Sequence, residues 1–127
     1  MIVVGIGCRR GSQATRIAGA VGEALKTAGI SADSVDALAT PEFKADETGI
    51  AEAAAAFGLP LRLIDRSRLD AVQRFCATRS RAAETATGLG AVSEAAALAA
   101  AGRNAALVLP RIARGGVTCA VARGDGG

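Results

Sequence analysis

The first dozen residues constrain the fold more than any other part of the chain. A run of strand-forming apolar residues from Ile2 to Gly7 turns on glycines and meets a helical pattern after Ser12. The run is hydrophobic almost without interruption, which predicts a strand that is buried on both faces of a sheet. In α/β sheets, ligands collect beyond the carboxyl ends of the strands. We therefore expect the functional site to be built around the loop that follows this strand.

Apolar periodicity predicts alternating strands and helices along the rest of the chain. Ile17, Val21 and Leu25 give the first helix one apolar face, and we expect Ser12 to cap its start and Gly29 to end it. For the next helix, Asp46 or Thr48 is the expected cap. Further strands are expected at 35–39, 59–64, 105–110 and 117–122, and further helices at 50–57, from Ser67 onward in a short capping box, and at 93–101.

A short basic turn at 111–116 would join the last two strands as an antiparallel hairpin, so the sheet is expected to be mixed. The predicted architecture is a single α/β domain over residues 1–127. It has three layers, α/β/α, around a mixed, mostly parallel sheet of about five strands. The polar segment from Ala77 to Ala91 has no apolar period, and we interpret it as a mobile loop and a candidate lid, which protection from proteolysis by a ligand would identify.

Composition excludes several classes of function. The chain contains no histidine, so neither a Ser-His-Asp nor a Cys-His mechanism is available, and we expect no metal and no cofactor. The net charge of +3 favours an acidic ligand, but the absence of Trp and Tyr argues against nucleic acid. No apolar run approaches the length of a membrane span. Three distant cysteines in an odd number are typical of reduced thiols in a cytoplasmic protein.

The glycines of the first loop have the pattern Gly5-x-Gly7-x-x-x-Gly11. This differs from a dinucleotide fingerprint, because the third glycine comes one residue late and the next strand ends without an acidic residue. What remains is a loop whose backbone N–H groups can face an anion, or, in the plainer interpretation, only a tight turn. Cys8 at this turn is a conceivable nucleophile, but without a histidine base a packed, inert thiol is the better expectation.

Cationic side chains follow several predicted strands. If the loops converge, they form a cationic cup suited to carboxylates, made of Arg9, Arg10, Lys44, Arg111 and Arg114. Asp46 and Glu47 are the acidic residues beside it, and a carboxylate in such a site is a candidate general base.

Four motifs occur in order at characteristic spacings. They are Gly5-Ile6-Gly7-Cys8-Arg9-Arg10-Gly11, Leu38-Ala39-Thr40 with Lys44-Ala45-Asp46-Glu47, Val92-Ser93-Glu94-Ala95-Ala96-Ala97-Leu98, and Val117-Thr118-Cys119-Ala120-Val121-Ala122-Arg123. Together they resemble the CobE family of cobalamin-biosynthesis proteins and the C-terminal domain of CbiG. Arg111 departs from the family pattern, in which Lys is common after the strand-ending proline.

The resemblance implies a role in building the corrin ring of vitamin B12. The expected ligand is an acidic precorrin or corrinoid intermediate of the aerobic pathway, and other enzymes of the pathway are expected partners. The substrate-binding residues implied are Gly5, Gly7, Cys8, Arg9, Arg10, Gly11, Thr40, Lys44, Ser93, Glu94 and Arg111. Asp46 and Glu47 would be catalytic if the chain, like CbiG relatives, hydrolyses a ring lactone. A phosphate- or nucleotide-binding regulatory module that uses only the glycine loop is a further alternative.

Overall fold

A five-stranded mixed sheet forms the centre of the protein in a computed structural model that describes residues 1–76 and 92–126. Its strands are β1 (Ile2–Cys8), β2 (Ala37–Pro41), β3 (Leu61–Ile64), β4 (Ala106–Arg114) and β5 (Val117–Arg123), in the order β3-β2-β1-β5-β4. β2 pairs parallel to β1 and β3, whereas β5 pairs antiparallel to β1 and β4. Four strands thus run in one direction, which confirms the predicted mostly parallel sheet. The mobile loop and lid predicted for 77–91 lie outside the described residues.

Helices cover both faces of this sheet and complete the three predicted layers. α1 (Ala14–Ala28) and α2 (Thr48–Phe57) lie on one face, and α3 (Arg66–Ala71) and α4 (Val92–Ala101) lie on the other. Single 3₁₀ turns occur at Ala32–Ser34, Glu42–Lys44 and Gln73–Phe75. Among the described helices, none combines the length and the apolar character needed to cross a membrane.

The two faces are packed with different side chains. On the α1/α2 side, which we call the aliphatic face, branched residues of the sheet meet Ile17, Val21, Leu25 and Ile50. On the α3/α4 side, which we call the alanine face, small sheet residues such as Ala37 meet a helix that contributes Ala95, Ala96, Ala97, Leu98, Ala100 and Ala101. Eight of the ten residues of α4 are buried, so this helix lies deep against the sheet.

Gly5 explains how α4 comes so close. A Cβ built on Gly5 would overlap the backbone oxygen of Ser93 and would lie 2.7 Å from the backbone nitrogen of Ala97. Both neighbours are backbone atoms of the helix, so neither can rotate away as a side chain could. The glycine in the middle of β1 is therefore a packing requirement of the alanine face.

The helix ends follow the predicted glycines, but the predicted starts are wrong. Gly29 and Gly58 adopt left-handed φ angles of 71° and 68° and close α1 and α2. Ser12 does not cap α1, whose N-cap is Gln13 without a side-chain hydrogen bond. Glu47 precedes α2, where Asp46 or Thr48 was expected to cap, and Asp65 caps α3 in place of Ser67 by accepting from the Arg68 N–H.

The strand boundaries differ most in the hairpin. The predicted turn at 111–116 is wrong, because β4 continues to Arg114 and the turn contains only Gly115 and Gly116. β4 lies at the edge of the sheet, where a proline such as Pro110 is tolerated, and its pairing with β5 shifts register between Leu107 and Leu109 and again between Leu109 and Ile112. β2 likewise extends two residues beyond its predicted end, to Pro41 opposite Ile64.

Candidate binding site at the loop edge

Three connections meet at one edge of the sheet, which we call the loop edge. They are the loop 9–13 after β1, the segment 42–47 after β2, and the Gly115–Gly116 turn between β4 and β5. The first two lie together because β1 and β2 are parallel neighbours. The turn joins them because Cys8, at the end of β1, pairs with Val117, at the start of β5. The predicted convergence of the loops after β1 and β2 is thus present.

Backbone hydrogen bonds hold the first loop in place. The Arg9 N–H donates to the Gly116 carbonyl at 3.1 Å, and the Arg9 carbonyl accepts from the Ser12 N–H at 3.2 Å and from Ser12 Oγ at 2.8 Å. Ser12 therefore closes the loop, which is what it does instead of capping α1. Gly11 has a φ of 78°, a conformation that favours glycine, and nothing lies within 4 Å of a Cβ built on it.

Glu47 joins the first loop to the second. Its Oε1 accepts a hydrogen bond of 2.7 Å from the Gly11 N–H. This bond ties the loop after β1 to the last residue before α2, across 36 positions of sequence. Glu47 is half-buried, whereas Asp46 is exposed. Of the two candidate bases, Glu47 is thus the one that is held in a defined position.

The thiol of Cys8 lies among these groups. Burial raises the pKa of Cys8 above its ordinary value of 9.0, while a hydrogen bond with Ser12 and the positive charge of Lys44 oppose the increase and the negative charge of Glu47 adds to it. Because burial outweighs the cation, the thiol form is favoured at neutral pH. This agrees with the expectation of an inert thiol, and it shows that both Lys44 and Glu47 are near enough to the end of β1 for their charges to act on Cys8.

The cations of the loop edge are available to a ligand. Arg9 and Arg10 are exposed and Lys44 is half-buried. Within residues 1–76 and 92–126, none of the three forms an ion pair. Thr40 is different, because it is fully buried and its hydroxyl donates to the Ile6 carbonyl at 2.8 Å, which ties β2 to β1 beneath the loops.

The glycines at positions 5 and 7 lie within β1, under α4, rather than in the loop itself. A Cβ on Gly7 would lie 2.7 Å from Thr118 Oγ1 and 3.8 Å from a methyl group of Val92. Val92 and Ser93 begin the described part of α4, so this end of the helix lies near the end of β1. The Ser93 hydroxyl is buried and makes no hydrogen bond with the described residues.

Glu94 and Arg111 form a separate contact on β4. The fully buried Glu94 accepts a hydrogen bond of 2.8 Å from the Arg111 N–H, within the irregular stretch of β4. Arg111 lies three positions before the end of β4, so the expectation that it belongs to a loop after the strand is wrong. The residue of β4 that reaches the loop edge is Arg114, opposite Val117. The sequence-based prediction for this edge was wrong because it ended the strand at Pro110 and so assigned Arg111 to the following turn.

Several residues that shape the site carry no obvious sequence signal. Gly49 lets α2 approach the first loop, since a Cβ there would overlap the Ser12 carbonyl. Gly116 makes room for the Arg9 side chain, whose Cδ would lie 3.1 Å from an added Cβ. The Gly115–Gly116 pair predicts a hairpin turn by composition. Its position beside Arg9 follows only from the pairing of β5 with β1.

These observations define a class of protein: an α/β domain with glycine-rich and basic loops at one edge of its sheet. The family described as "Cobalamin synthesis G C-terminus" matches residues 2–122. The chain belongs to this family, the CobE and CbiG C-terminal family of cobalamin-biosynthesis proteins, which confirms the resemblance seen in the sequence.

Among the proteins similar to the chain are two curated relatives and a solved structure of CobE. Protein CobE of a Sinorhizobium species is 32% identical over 121 residues, covering 95% of this chain and 79% of the relative. A probable cobalt-precorrin-5A hydrolase of Methanocaldococcus jannaschii is 32% identical over 129 aligned positions, but this chain spans only 40% of its length. A crystal structure of CobE, a protein of the vitamin B12 pathway, superposes with a TM-score of 0.92 at 30% identity, covering 100% of this chain and 92% of that one.

Proposed function

We propose that this protein of cobalamin biosynthesis binds an acidic corrinoid or precorrin intermediate at the loop edge and assists its maturation. The observation that carries the proposal is the meeting of the loops after β1 and β2, joined by the bond between Glu47 and the Gly11 N–H. Arg10 and Lys44 belong to these two neighbouring connections, and the family is one of cobalamin-biosynthesis proteins, which together support the proposal.

The chemistry of such a ligand suits the charges of the loop edge. A corrinoid precursor is a flat macrocycle that carries acetate and propionate side chains around its rim. Guanidinium groups bind carboxylates through paired N–H donors, and the ammonium of Lys44 adds a compact charge. Because Arg9 and Arg10 are exposed and Lys44 half-buried, the attraction is partly screened by salt.

A titration of the whole chain tests this proposal. The probe is a corrinoid with free peripheral carboxylates, and its control is the same macrocycle with those carboxylates amidated. We expect the free acid to bind, binding to weaken as salt rises from 0.05 to ~0.5 M, and the amide to bind much less. Equal binding of acid and amide, or no binding of the acid, would contradict the proposal.

Lactone hydrolysis is a second candidate, favoured by the similarity to the cobalt-precorrin-5A hydrolase. In this function a carboxylate of Asp46 or Glu47 would take a proton from water while the hydroxide attacks the lactone carbonyl. The bond between the carbonyl carbon and the ring oxygen would then break, and the protonated carboxyl group would return its proton to that oxygen, which leaves as an alcohol. Because this chain spans 40% of that relative's length, the activity of the whole relative is only a proposal here.

The position of Glu47 allows catalysis and structure to be separated. Glu47→Gln keeps an oxygen that accepts from the Gly11 N–H but removes the basic carboxylate. If Glu47 is the base, the variant loses lactone opening yet still binds the corrinoid acid. Asp46→Asn provides the matched test of the exposed neighbour. Turnover that survives both substitutions would exclude this mechanism.

The cytoplasm as location and other pathway enzymes as partners belong to the same proposal. Cys8, Cys76 and Cys119 form no disulfide with one another, which suits a reducing compartment. If the ligand passes directly to the next enzyme of the pathway, the two proteins must bind each other. We therefore expect that enzyme to co-purify with the ligand-loaded protein.

A further inference from the structure

An open groove separates the start of α1 from the β4–β5 turn. It has a volume of about 320 Å³ and is lined by Gln13, Thr15, Arg16, Gly19, Arg114 and Gly115. None of these residues takes part in the contacts that join the two loops after β1 and β2. Two of the six carry a guanidinium group, and two are glycines that leave the groove wide. We call it the turn groove.

Each of the two glycines of the turn lies beside the side chain of an arginine from another element. Arg16 Nη1 donates to the Gly115 carbonyl at 3.4 Å, and the Arg16 side chain lies 3.1–3.5 Å from the place where a Cβ on Gly115 would be. Arg9 lies in the same way over Gly116, with its Cδ at 3.1 Å. Three guanidinium groups, of Arg9, Arg16 and Arg114, are therefore gathered around a two-residue turn.

Within residues 1–76 and 92–126, the one ion pair that these three arginines form is with Glu23. Arg114 Nη1 pairs with Glu23 Oε2 at 3.4 Å, but both side chains are about half exposed, at 58% and 48%. Such an exposed pair is worth at most about 1 kcal/mol, so a ligand can displace it. The first turn of α1 contains no acidic residue, and Gln13 makes no side-chain cap. The positive end of a 15-residue helix thus adds to the field of the arginines.

We propose that the turn groove is a carboxylate-binding subsite. A carboxylate enters between the guanidinium groups of Arg16 and Arg114, and Arg9 connects this subsite with the loop edge. The assignment rests on the proposed function insofar as the ligand is a polycarboxylate whose acidic groups occupy the loop edge and the groove together. The affinity for the macrocycle would then depend on how many free carboxylates it carries on the side that faces the groove.

The direct test uses tricarballylate, a small tricarboxylate, as probe and its neutral triamide as control. Amide NMR of the whole labelled chain is expected to give saturable shifts at Thr15, Gly19 and Gly115 with the acid but not with the amide. Arg16→Gln should weaken this binding about threefold to fivefold, whereas Arg103→Gln, which changes an exposed arginine that does not line the groove, should not. Glu23→Gln frees Arg114 and should tighten binding about twofold.

These outcomes decide the assignment. Absent shifts, equal shifts with the triamide, or no effect of Arg16→Gln would overturn it. The tightening by Glu23→Gln is informative because a purely structural role of the ion pair would not increase affinity.

A second pair of variants separates the subsite from the proposed function. Gly19 and Gly22 both have open space around a built Cβ, so Gly19→Glu and Gly22→Glu should fold alike, but only Gly19 lines the groove. We expect Gly19→Glu to weaken binding of the corrinoid acid at least about fivefold more than Gly22→Glu. If both variants bind the corrinoid like the wild type, the subsite is wrong while the proposed function stands. If the wild type fails to bind the corrinoid but binds tricarballylate in the groove, the proposed function fails and the carboxylate site stands.

Discussion

The two faces of the sheet are packed on opposite principles. On the aliphatic face, α1 buries five of its fifteen residues, and branched side chains fill the space between helix and sheet. On the alanine face, α4 buries eight of its ten residues and approaches so closely that β1 needs a glycine beneath it. Large side chains that fill the space between helix and sheet stabilise the aliphatic face. Close packing of the α4 backbone against the β1 backbone stabilises the alanine face.

This difference determines which substitutions each face tolerates. Where large side chains interdigitate, removing atoms leaves a cavity, and a buried polar group is kept from water. Where two backbones are nearly in contact, there is no room for even one added methyl group. Arg9, Arg10 and Lys44 lie on neither face, since all three belong to the loop edge. Changes on the faces should therefore alter stability, and changes at the loop edge should alter binding.

The largest effect is expected at Cys119, inside the aliphatic face, at high pH. Burial, and to a lesser extent the neighbouring Cys8, raises the pKa of this thiol from 9.0 to about 12. The folded state holds the proton more tightly than the unfolded chain, so stability is fully present below pH 9 and is lost as pH rises towards 12. Complete loss corresponds to about 4 kcal/mol. Urea unfolding between about pH 8 and pH 11.5 measures it.

Cys119→Ala is the control for that prediction, because it removes the titrating group and should abolish most of the decline above pH 9, leaving the contribution of Cys8, whose pKa burial also raises. The chain has no tyrosine and only two lysines, so few other groups titrate in this range. A wild-type stability that stays constant from pH 9 to pH 11.5 would contradict the burial of Cys119 in the aliphatic face.

The next largest effect is expected on the alanine face. Gly5→Ala should destabilise the protein by about 3 kcal/mol or more, because the added methyl meets backbone atoms of Ser93 and Ala97 that cannot move without shifting α4. Chemical denaturation at neutral pH measures the change. A variant as stable as the wild type would mean that α4 lies farther from β1 than the structure places it, and the contrast between the faces would disappear.

Part of this architecture could be predicted from the sequence because it depends on local pattern. The continuous apolar run of β1, the four-residue spacing in α1 and the glycines at 29 and 58 are local signals, and the structure confirms the elements that they predict. The meeting of the loops after β1 and β2 was also predictable, since parallel neighbours end at the same edge of a sheet. The mixed sheet followed from the short connection between the last two strands.

The remainder depends on partners far away in sequence. β4 continues beyond Pro110 because β5 pairs with it and because Glu94, from a different element, accepts from the Arg111 N–H. Gly5 falls within the predicted strand, but the packing reason for a glycine there is visible only once α4 is known to lie over it. The helix caps were misassigned because several polar residues precede each helix, and the choice among them depends on neighbouring loops: Ser12 turns back to Arg9, and Glu47 reaches Gly11.

A smaller effect, on binding rather than stability, is expected at the loop edge. Lys44→Glu should weaken binding of the corrinoid acid about tenfold, which is about 1.4 kcal/mol, and more than Lys44→Met does, because reversal adds repulsion to the lost attraction. Both variants should unfold at nearly the wild-type urea concentration. Equal affinities of the two variants would show that Lys44 exerts no electrostatic effect on the ligand, and a loss of stability in both would assign Lys44 to the core.

The smallest effect has the opposite sign and uses the same chemical change as Gly5→Ala. Gly22 lies on the exposed side of α1, and nothing stands within 4 Å of a Cβ built on it. Alanine there avoids the conformational entropy that glycine loses in a helix, so Gly22→Ala should stabilise the protein by up to about 1 kcal/mol. The measurement is the same urea titration, with the midpoint moving up at an unchanged slope. A methyl group that stabilises at position 22 and destabilises at position 5 would locate the difference in the space around each glycine, because the residue exchanged is identical. If both substitutions destabilise to a similar extent, the general cost of replacing a glycine explains them, and the close approach of α4 to β1 does not.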